Sequence, residues 1–295
     1  MRVLITGSSG KLGHALARRL AGDGHTVAGI DVVPGAYTVH VGSITEREPV
    51  RALVQGADAV VHTASLHAPH VGQRTREEFI EINVQGTLHL LEASVAAGVG
   101  RFVYTSTTSL YGHAMVPGER AVWVTEALAP RPRDIYDITK LAAEQLCQDV
   151  AAEAGLPVWC LRTARFWDEP MHLQVIYRLY RGVDVEDAVD AHVLALHAPA
   201  DRAGVFNISA RSPFQERDTV DLLRDAAAVI RARHPEAEAI FQGHGLELPR
   251  SIDRVYVTGR AESELGYAPS RNFDHILRQW QEPGIRAAGD VDTAK

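Results

Sequence analysis

The sequence predicts an α/β fold, in which a doubly wound parallel sheet carries helices on both faces. Short apolar runs alternate with longer segments of helical periodicity, the pattern typical of such a sheet. Of the 295 residues, 46% are hydrophobic, which is enough to bury a large core. The predicted strands span residues 2–6, 26–30, 37–41, 59–62, 101–105, 157–161 and 205–208.

Helical patterns fall between these strands and recur towards the C-terminal end. They predict helices from a glycine-rich turn to about residue 21, over residues 76–97, 135–154 and 219–233, and near Arg260 and Phe273. The patchier pattern of residues 215–280 predicts a small C-terminal α/β lobe appended to the sheet. Residues 281–295 lack periodicity and are expected to fray.

The charge balance and the cysteine content limit the possible partners and the compartment. There are 37 acidic and 30 basic residues, and a formal charge of −7 argues against nucleic acid or an anionic membrane as the main partner. No apolar run approaches the ~20 residues that span a bilayer, and the chain opens on a strand-like segment, so a soluble cytoplasmic protein is expected. Cys147 and Cys160 are expected to be ordinary thiols in a reducing compartment.

A glycine-rich turn joins the first strand to the first helix. Gly7, Gly10 and Gly13 sit where a tight turn delivers backbone N–H groups to a pyrophosphate at a helix N-terminus. Asp31 ends the second strand 18 residues after Gly13, where a carboxylate accepts the adenosine-ribose hydroxyls and repels a 2′-phosphate. The arrangement predicts NAD rather than NADP as cofactor, with a loop-capping role for Asp31 as the alternative.

A tyrosine and a lysine lie four residues apart on the helix predicted over residues 135–154. A free phenol, with a pKa near ~10, is a poor base at neutral pH, and a cation close by favours the phenolate. Asp134 is a plausible N-cap that places Tyr136 in the first turn, where the helix dipole also favours an anion. Tyr136 is therefore predicted to take a proton from a substrate alcohol or to return one to it, with Lys140 lowering its pKa.

Six segments together resemble the extended short-chain dehydrogenase/reductase superfamily, in particular the NAD-dependent epimerase/dehydratase family. The resemblance covers residues 1 to about 210 and implies a Rossmann-type NAD-binding domain. The segments, in the family's order, are the glycine turn at 7–13, residues 58–64, 83–93, 102–112 and 136–140, and residues 185–192.

The resemblance implies a set of residues around the NAD cofactor. These are Gly7, Ser9, Gly10, Lys11, Leu12, Gly13, Asp31, Thr63, Ala64 and Ser65, with Tyr136 and Lys140. The chain departs from the family after the third strand, where Ser43 stands in place of the usual acid that touches the adenine. A weaker adenine contact is expected there.

The resemblance also implies two further catalytic residues. Thr107 occupies the place of the family's catalytic serine or threonine and would hold the substrate oxygen, with Ser106 as the alternative. Asn83 corresponds to the family's helix asparagine, which organises backbone and water near Lys140; a polar kink in a long helix is the alternative. Sugar-nucleotide dehydratases carry an Asp-Glu pair after the threonine, whereas this chain has Thr108 and Ser109, so dehydrogenation or epimerisation fits better than dehydration.

The predicted substrate side is trimmed relative to nucleotide-sugar enzymes. Residues 161–165 read Leu-Arg-Thr-Ala-Arg in place of the family's Leu-Arg-Pro-Gly-Asn, and only 21 residues lie between Leu161 and Val183. In this respect the chain is similar to the uronate dehydrogenases, compact relatives that oxidise free sugar acids with NAD. Arg165, Arg178 and Arg181 would then meet a carboxylate, with solvated surface arginines as the alternative.

Three histidines, His62, His67 and His70, invite a metal hypothesis, but Pro69 interrupts their spacing and no metal is predicted. His67 is instead expected on a loop beside the nicotinamide. Together with Thr108 and Arg165 it is a candidate for contact with the substrate.

These patterns predict an NAD-dependent epimerase or dehydrogenase that moves hydride from a secondary alcohol of a sugar, sugar acid or nucleotide sugar. The alternatives are a dehydrogenase of a hydroxysteroid-like compound and a non-catalytic dinucleotide-sensing regulator. The NAD-binding domain is expected to comprise residues 1–163 and 183–208, and the substrate lobe residues 164–182 and 209–280. A homodimer through the helices at 76–97 and 135–154 is also expected.

Overall fold

The computed structural model describes residues 1–281 and contains nine strands. In chain order they are β1 (Arg2–Thr6), β2 (Thr26–Asp31), β3 (Thr38–Val41), β4 (Ala59–His62), β5 (Arg101–Thr107), β6 (Val122–Val124), β7 (Val158–Thr163), β8 (Gly204–Ile208) and β9 (Arg254–Tyr256). Seven of them form one parallel sheet in the order β3-β2-β1-β4-β5-β7-β8. The strand order reverses direction between β1 and β4, which leaves a crevice at the carboxyl ends of these strands.

Eleven α-helices are described in the same residues. They are α1 (Lys11–Gly22), α2 (Arg47–Val54), α3 (Arg76–Ile80), α4 (Gly86–Ala96), α5 (Ile135–Ala154), α6 (Met171–Tyr180), α7 (Val185–His197), α8 (Thr219–Arg233), α9 (Pro235–Gly243), α10 (Gly259–Leu265) and α11 (Phe273–Gln281). The apolar residues of α1 and α7 pack on one face of the sheet, and those of α2, α4 and α5 on the other. This confirms the predicted α/β fold with a doubly wound parallel sheet. Within residues 1–281 no helix has the length and apolar character needed to cross a bilayer.

A second part of the molecule has its own apolar core, formed by residues of α6, α8, α9 and α11. The parallel pair β6 and β9 borders it. β6 lies inside the span that the sequence assigned to the NAD-binding domain, so this part draws on a segment between β5 and α5 as well. The predicted fraying of residues 281–295 falls outside the described residues, apart from Gln281, which ends α11.

The helix α5 begins and ends where the sequence predicts. Asp134 is its N-cap, and its side chain accepts a hydrogen bond of 3.0 Å from the backbone N–H of Asp137. Gly155 ends the helix in the left-handed conformation at φ 70°, which a residue without a Cβ adopts at little cost. These caps fix which residues of α5 face the sheet.

A buried ion pair joins α5 to β7 beneath this face. The Arg162 guanidinium donates to both oxygens of the Glu144 carboxylate, and both side chains are almost completely buried. Ser106 donates to the same carboxylate at 2.8 Å, and the remaining end of Arg162 donates to the Tyr111 hydroxyl at 2.9 Å. Because every charged group here has partners, the network holds α5 against the ends of β5 and β7.

Removal of one partner of this pair tests its role. Glu144→Gln leaves Arg162 buried without a carboxylate, so we expect the free energy of unfolding to fall by about 3–5 kcal/mol in urea denaturation. Glu92→Gln is the matched control, since Glu92 pairs with Arg47 on the exposed surface and its loss changes the free energy of unfolding by less than about 1 kcal/mol. Equal losses in the two variants would contradict the role assigned to the buried pair.

Candidate functional site

A cleft of about 850 Å³ opens at the carboxyl ends of the central strands. One end is lined by the glycine-rich turn and the ends of β2 and β3, and the middle by the ends of β4, β5 and the start of α5. The other end is lined by the segment after β7 and by β9. The cleft therefore spans the crevice where open parallel sheets bind their ligands.

The glycine-rich turn has no room for side chains on its inner side. Gly7 adopts φ 71°, and a Cβ on Gly13 would lie 2.0 Å from the Gly7 carbonyl oxygen. A Cβ on Gly10 would meet only that carbonyl, at 3.3 Å, because its other side faces the cleft. The turn thus brings the backbone at the start of α1 close to the cleft, which fits the pyrophosphate of a dinucleotide.

Asp31 lines the same end of the cleft and also braces the turn. Its carboxylate oxygens accept hydrogen bonds from the backbone N–H of Ser9 at 2.9 Å and of Val33 at 3.0 Å. Each oxygen keeps acceptor capacity for the ribose hydroxyls of NAD. Asp31 therefore lies where a carboxylate that binds the ribose is predicted, and it also caps the loop, as the alternative interpretation has it. Ser43 also lines the cleft, and its hydroxyl accepts hydrogen bonds from Thr45.

The segment after β4 is fastened to β1. The Thr63 hydroxyl donates to the Thr6 carbonyl at 2.7 Å, and the Ala64 N–H donates to the Thr6 hydroxyl at 3.1 Å. His62 is buried between the hydroxyls of Thr6 and Thr87, and burial lowers the pKa of its imidazole well below the ordinary value. His62 is thus a structural residue, whereas Thr63, Ala64 and Ser65 line the cleft.

Two other predicted cofactor residues differ in their surroundings. Leu12 is buried in the core under the turn and also borders the cleft. The Lys11 amine forms an ion pair with Asp168, which lies on the segment after β7 at the opposite wall. Among residues 1–281, no three His, Cys, Asp or Glu side chains are grouped to hold a metal ion.

Tyr136, Lys140 and Thr107 meet at the middle of the cleft. Tyr136 and Lys140 lie one helical turn apart on α5, and Thr107 ends β5. The Lys140 amine donates to the Thr105 carbonyl at 2.7 Å and lies 4.3 Å from the centre of the Tyr104 ring. Ser106, the alternative to Thr107, donates to Glu144 instead.

The electrostatics of this pair differ from the expectation. Burial raises the pKa of Tyr136 to about 12, although the nearby Thr107 hydroxyl opposes the rise. Burial also lowers the pKa of Lys140 to about 7. The amine is therefore only partly charged at neutral pH. In the protein without bound ligand it does not lower the pKa of Tyr136 as a full cation was expected to do.

Asn83 lies in a π-helical turn, Glu81–Gln85, that interrupts the single helix predicted over residues 76–97. Its side-chain amide donates to the Leu66 carbonyl at 3.1 Å and to the Thr139 hydroxyl at 3.0 Å, and its oxygen accepts from the Leu66 N–H at 2.7 Å. These contacts fasten the segment after β4 to α5. They fit a role in organising the backbone near Lys140.

The candidate substrate residues divide into two groups. His67, Thr108 and Arg165 line the cleft, and the His67 ring lies edge-on to Tyr136 with centroids 6.4 Å apart. The His67 side chain is solvent-exposed where it borders the cleft, and its packing there and the nearby charge of Lys140 lower the pKa of its imidazole below the ordinary value. Arg178, by contrast, is buried outside the cleft lining and pairs with Asp184 of this chain, so it is neither placed to meet a substrate carboxylate nor a solvated surface arginine.

The structure brings further side chains to the cleft that the sequence analysis did not single out. They include Met115, Arg133, Trp167, Arg254 and Tyr256. Arg133 stands three residues before Tyr136, so proximity to the tyrosine could have indicated it. Arg254 and Tyr256 lie in a three-residue strand far along the chain, and no local pattern marks them.

The buried amine has a consequence for stability. Between pH 7 and about 10 the unfolded chain keeps a proton on Lys140 that the folded protein has released, so this group makes the fold more stable as pH rises. We expect the free energy of unfolding of the wild type, relative to Lys140→Met, to increase from pH 7 to pH 9.5 in urea denaturation. Lys11→Met, at an exposed amine, serves as control. A pH-independent difference for Lys140→Met would contradict a buried, partly neutral amine.

Comparisons with known proteins agree with this geometry. Part of the chain is 34% identical over 196 residues to a 3-beta-hydroxysteroid dehydrogenase of Mycolicibacterium neoaurum, which covers 61% of this chain and 52% of that protein. The chain thus spans about half the length of this curated relative. A UDP-glucose 4-epimerase of Streptomyces lividans is 25% identical over 92% of both chains.

Solved structures share the fold over most of the chain. A short-chain dehydrogenase/reductase superfamily protein from Agrobacterium tumefaciens with bound NAD has a TM-score of 0.71 and 24% identity, covering 95% of this chain and 96% of that one. A UDP-glucose 4-epimerase of Thermotoga maritima has a TM-score of 0.70 and 21% identity, covering 95% and 97%. Residues 3–167 match the NAD dependent epimerase/dehydratase family, which confirms the predicted family and its NAD cofactor. The chain belongs to the NAD-dependent epimerase/dehydratase family.

Proposed function

We propose that the protein is an NAD-dependent oxidoreductase that moves hydride from a secondary alcohol of a sugar, sugar acid or nucleotide sugar, as a dehydrogenase or 4-epimerase. One observation carries the proposal. Tyr136, Lys140 and Thr107 lie at the middle of a cleft whose one end has the glycine turn and Asp31. A proton-accepting group thus lies between a dinucleotide site and a space for a second molecule.

The residues would divide the work as follows. Thr107 and the Tyr136 hydroxyl hold the oxygen of the alcohol, and Tyr136 receives its proton. The bound NAD supplies the hydride acceptor. Lys140 favours the phenolate to the extent that it carries a proton, and Asn83 keeps the segment after β4 in place beside it. The burial of Tyr136 and Lys140 excludes water from this exchange.

The residues after Thr107 support oxidation over dehydration. Thr108 and Ser109 carry no carboxyl group, and the Ser109 hydroxyl is already committed to the Asp137 carboxylate at 2.6 Å. Elimination of water from a ketosugar requires an acid and a base at this place. Neither side chain offers them.

The far end of the cleft supports an anionic substrate. Arg165, Arg181 and Arg254 line it, and Arg165 and Arg254 pair with Glu169 and Asp253. Arg181 lies against the ring of Tyr177, 4.2 Å from its centre, and within residues 1–281 it has no carboxylate partner. A guanidinium in this state favours a carboxylate or phosphate.

A hydroxysteroid is the second candidate substrate. The observation that favours it is the 34% identity to a 3-beta-hydroxysteroid dehydrogenase. The same catalytic residues would serve such a substrate, and the apolar side chains Met115, Phe166 and Trp167 in the cleft lining fit a sterol. The arginines at the far end favour an anionic substrate over it. A regulator without catalysis is less well supported, because the chain keeps Tyr136 and its partners in the cleft.

A panel of substrates tests the proposal. With NAD, we expect NADH absorbance to appear with members of a set of free aldoses, uronates and UDP-sugars, and not with 3β-hydroxysteroids. Tyr136→Phe should lower kcat by about 100-fold or more, since the proton acceptor is lost, while NAD binding measured by calorimetry is unchanged. Tyr37→Phe, outside the cleft lining, is the matched control.

Two results would count against the proposal: turnover that survives Tyr136→Phe, or oxidation of the sterols alone. Within the proposal, NADH released into solution identifies a dehydrogenase. Interconversion of a UDP-sugar with its 4-epimer without released NADH identifies an epimerase.

We also propose a homodimer in the cytoplasm. Three apolar residues of α5, Leu141, Leu146 and Val150, do not support the dimer, because they are partly buried against this chain's own core. The exposed apolar side chains Ile80 and Ile138 lie on α3 and α5 and support it better. Both cysteines are free and buried, which fits a reducing compartment.

Light scattering at dilute concentration tests the dimer. We expect the mass of two chains for the wild type and of one chain for Ile138→Glu, because a charge would be placed in the apolar contact. Val116→Glu, an exposed position on neither helix, should leave the mass unchanged. A wild type with the mass of one chain would exclude the dimer.

A further inference from the structure

A cluster of three polar side chains adjoins Tyr136 and has no part in the mechanism described above. Ser109 lies two residues after Thr107, and Arg133 lies three residues before Tyr136. The Asp137 carboxylate, completely buried, accepts from the Ser109 hydroxyl at 2.6 Å and from Arg133 Nε at 3.0 Å. Arg133 Nη2 donates in turn to the Ser109 hydroxyl at 2.7 Å. The three side chains form a closed ring of hydrogen bonds.

This ring immobilises the Arg133 guanidinium at the cleft. The strong bonds use Nε and Nη2, and in the described part of the chain Nη1 has no hydrogen-bond partner. The side chain is 41% exposed and lines the cleft. An arginine held in this way offers N–H donors at a fixed place, and little further side-chain entropy is lost when an acceptor binds.

The ion pair with Asp137 does not completely neutralise the charge of Arg133. Asp137 lies in the first turn of α5, where the helix dipole stabilises a carboxylate, and the Ser109 hydroxyl and the Arg133 backbone N–H also donate to it. The guanidinium therefore keeps part of its attraction for a second anion, in the geometry of an arginine between two carboxylates.

We propose that Arg133 binds a carboxylate carried on the same sugar ring as the alcohol that is oxidised. The inference rests on the proposed function and specifies its substrate class as a sugar acid. The reacting oxygen lies at Tyr136 and Thr107. Arg133 donates to the Ser109 hydroxyl, and the Ser109 backbone N–H donates in turn to the Thr107 hydroxyl at 3.1 Å, so one residue joins the guanidinium to Thr107. A group held by Arg133 thus lies near the hydroxyl that holds the reacting oxygen.

The arginines of the far end do not fill this role. Arg165 and Arg181 belong to the segments before and after α6, and Arg254 belongs to β9. None of the three is hydrogen-bonded to the segment that carries Thr107 and Ser109 in the described part of the chain. Arg133 alone among the cleft arginines is hydrogen-bonded to a neighbour of Thr107.

Binding and turnover with matched sugars test the inference. In the presence of NADH, which permits no oxidation, we expect calorimetry to show that wild-type protein binds D-galacturonate at least about 10-fold more tightly than D-galactose. Arg133→Gln should remove this preference, and Arg133→Lys should keep part of it. With NAD as cofactor, Arg133→Gln should raise KM for galacturonate by about 10- to 100-fold and change kcat by no more than a few-fold.

Two variants control for structural damage. Arg74 forms an exposed ion pair with Glu78 at the same i, i+4 spacing and 3.0 Å distance, so Arg74→Gln should leave the preference intact. The double variant Arg133→Gln, Asp137→Asn leaves no buried charge unpaired and should also lose the preference while its melting temperature stays close to that of the wild type.

The outcomes separate this inference from the proposed function. A wild type without preference for galacturonate, or a preference that survives in both Arg133→Gln and the double variant Arg133→Gln, Asp137→Asn, overturns the inference. A preference that depends on Arg133, in a protein that oxidises no member of the panel, overturns the proposed oxidation and leaves the anion site standing.

Discussion

The buried ion pair between Glu144 and Arg162 is the interaction on which the site depends. Glu144 lies one helical turn beyond Lys140, and Arg162 lies on β7, so the pair fixes the rotation and height of α5 over the sheet. Ser106 donates to the same carboxylate and thereby sets the end of β5, where Thr107 begins the next turn. A displacement of this pair would move the tyrosine, the lysine and the threonine relative to one another. The catalytic side chains are therefore positioned by buried groups that do not contact a substrate.

The burial that positions these groups also determines their protonation. Removing the phenol and the amine from water favours the neutral form of each, so the pKa of Tyr136 rises to about 12 while that of Lys140 falls to about 7. At neutral pH Tyr136 is thus uncharged, whereas Lys140 is partly charged. Little water surrounds the Tyr136 phenol and the Lys140 amine. A charge that develops on one of them during the reaction therefore interacts more strongly with the other.

The parts of the site that the sequence predicted are those set by local spacing. Tyr136 and Lys140 share a helix, Asp134 caps it, and Gly7, Gly10 and Gly13 form the turn at the sheet edge. An irregularity at Asn83 was predicted only as the alternative of a polar kink, because the pattern of apolar residues continues through the π-helical turn. The contacts of Asn83 with Leu66 and Thr139 depend on tertiary structure. The protonation of the Tyr136 and Lys140 pair could not be predicted, since it depends on burial by distant segments. For the same reason β6, β9 and the arginines beyond the tyrosine depend on tertiary structure.

The two halves of the cleft are built from different kinds of groups. Membership of the family therefore does not determine which substrate is bound. At the cofactor end, backbone N–H groups, glycines and one carboxylate line the wall, and the match to the family over residues 3–167 includes all of them. At the substrate end the walls come from Trp167, Arg181 and Arg254, which lie at or beyond the limit of that match. Backbone geometry is retained with the fold, whereas side chains on connecting segments change freely. Arg133 lies within the family match but on the substrate side of Tyr136, so it links the shared chemistry to the selection of a particular substrate.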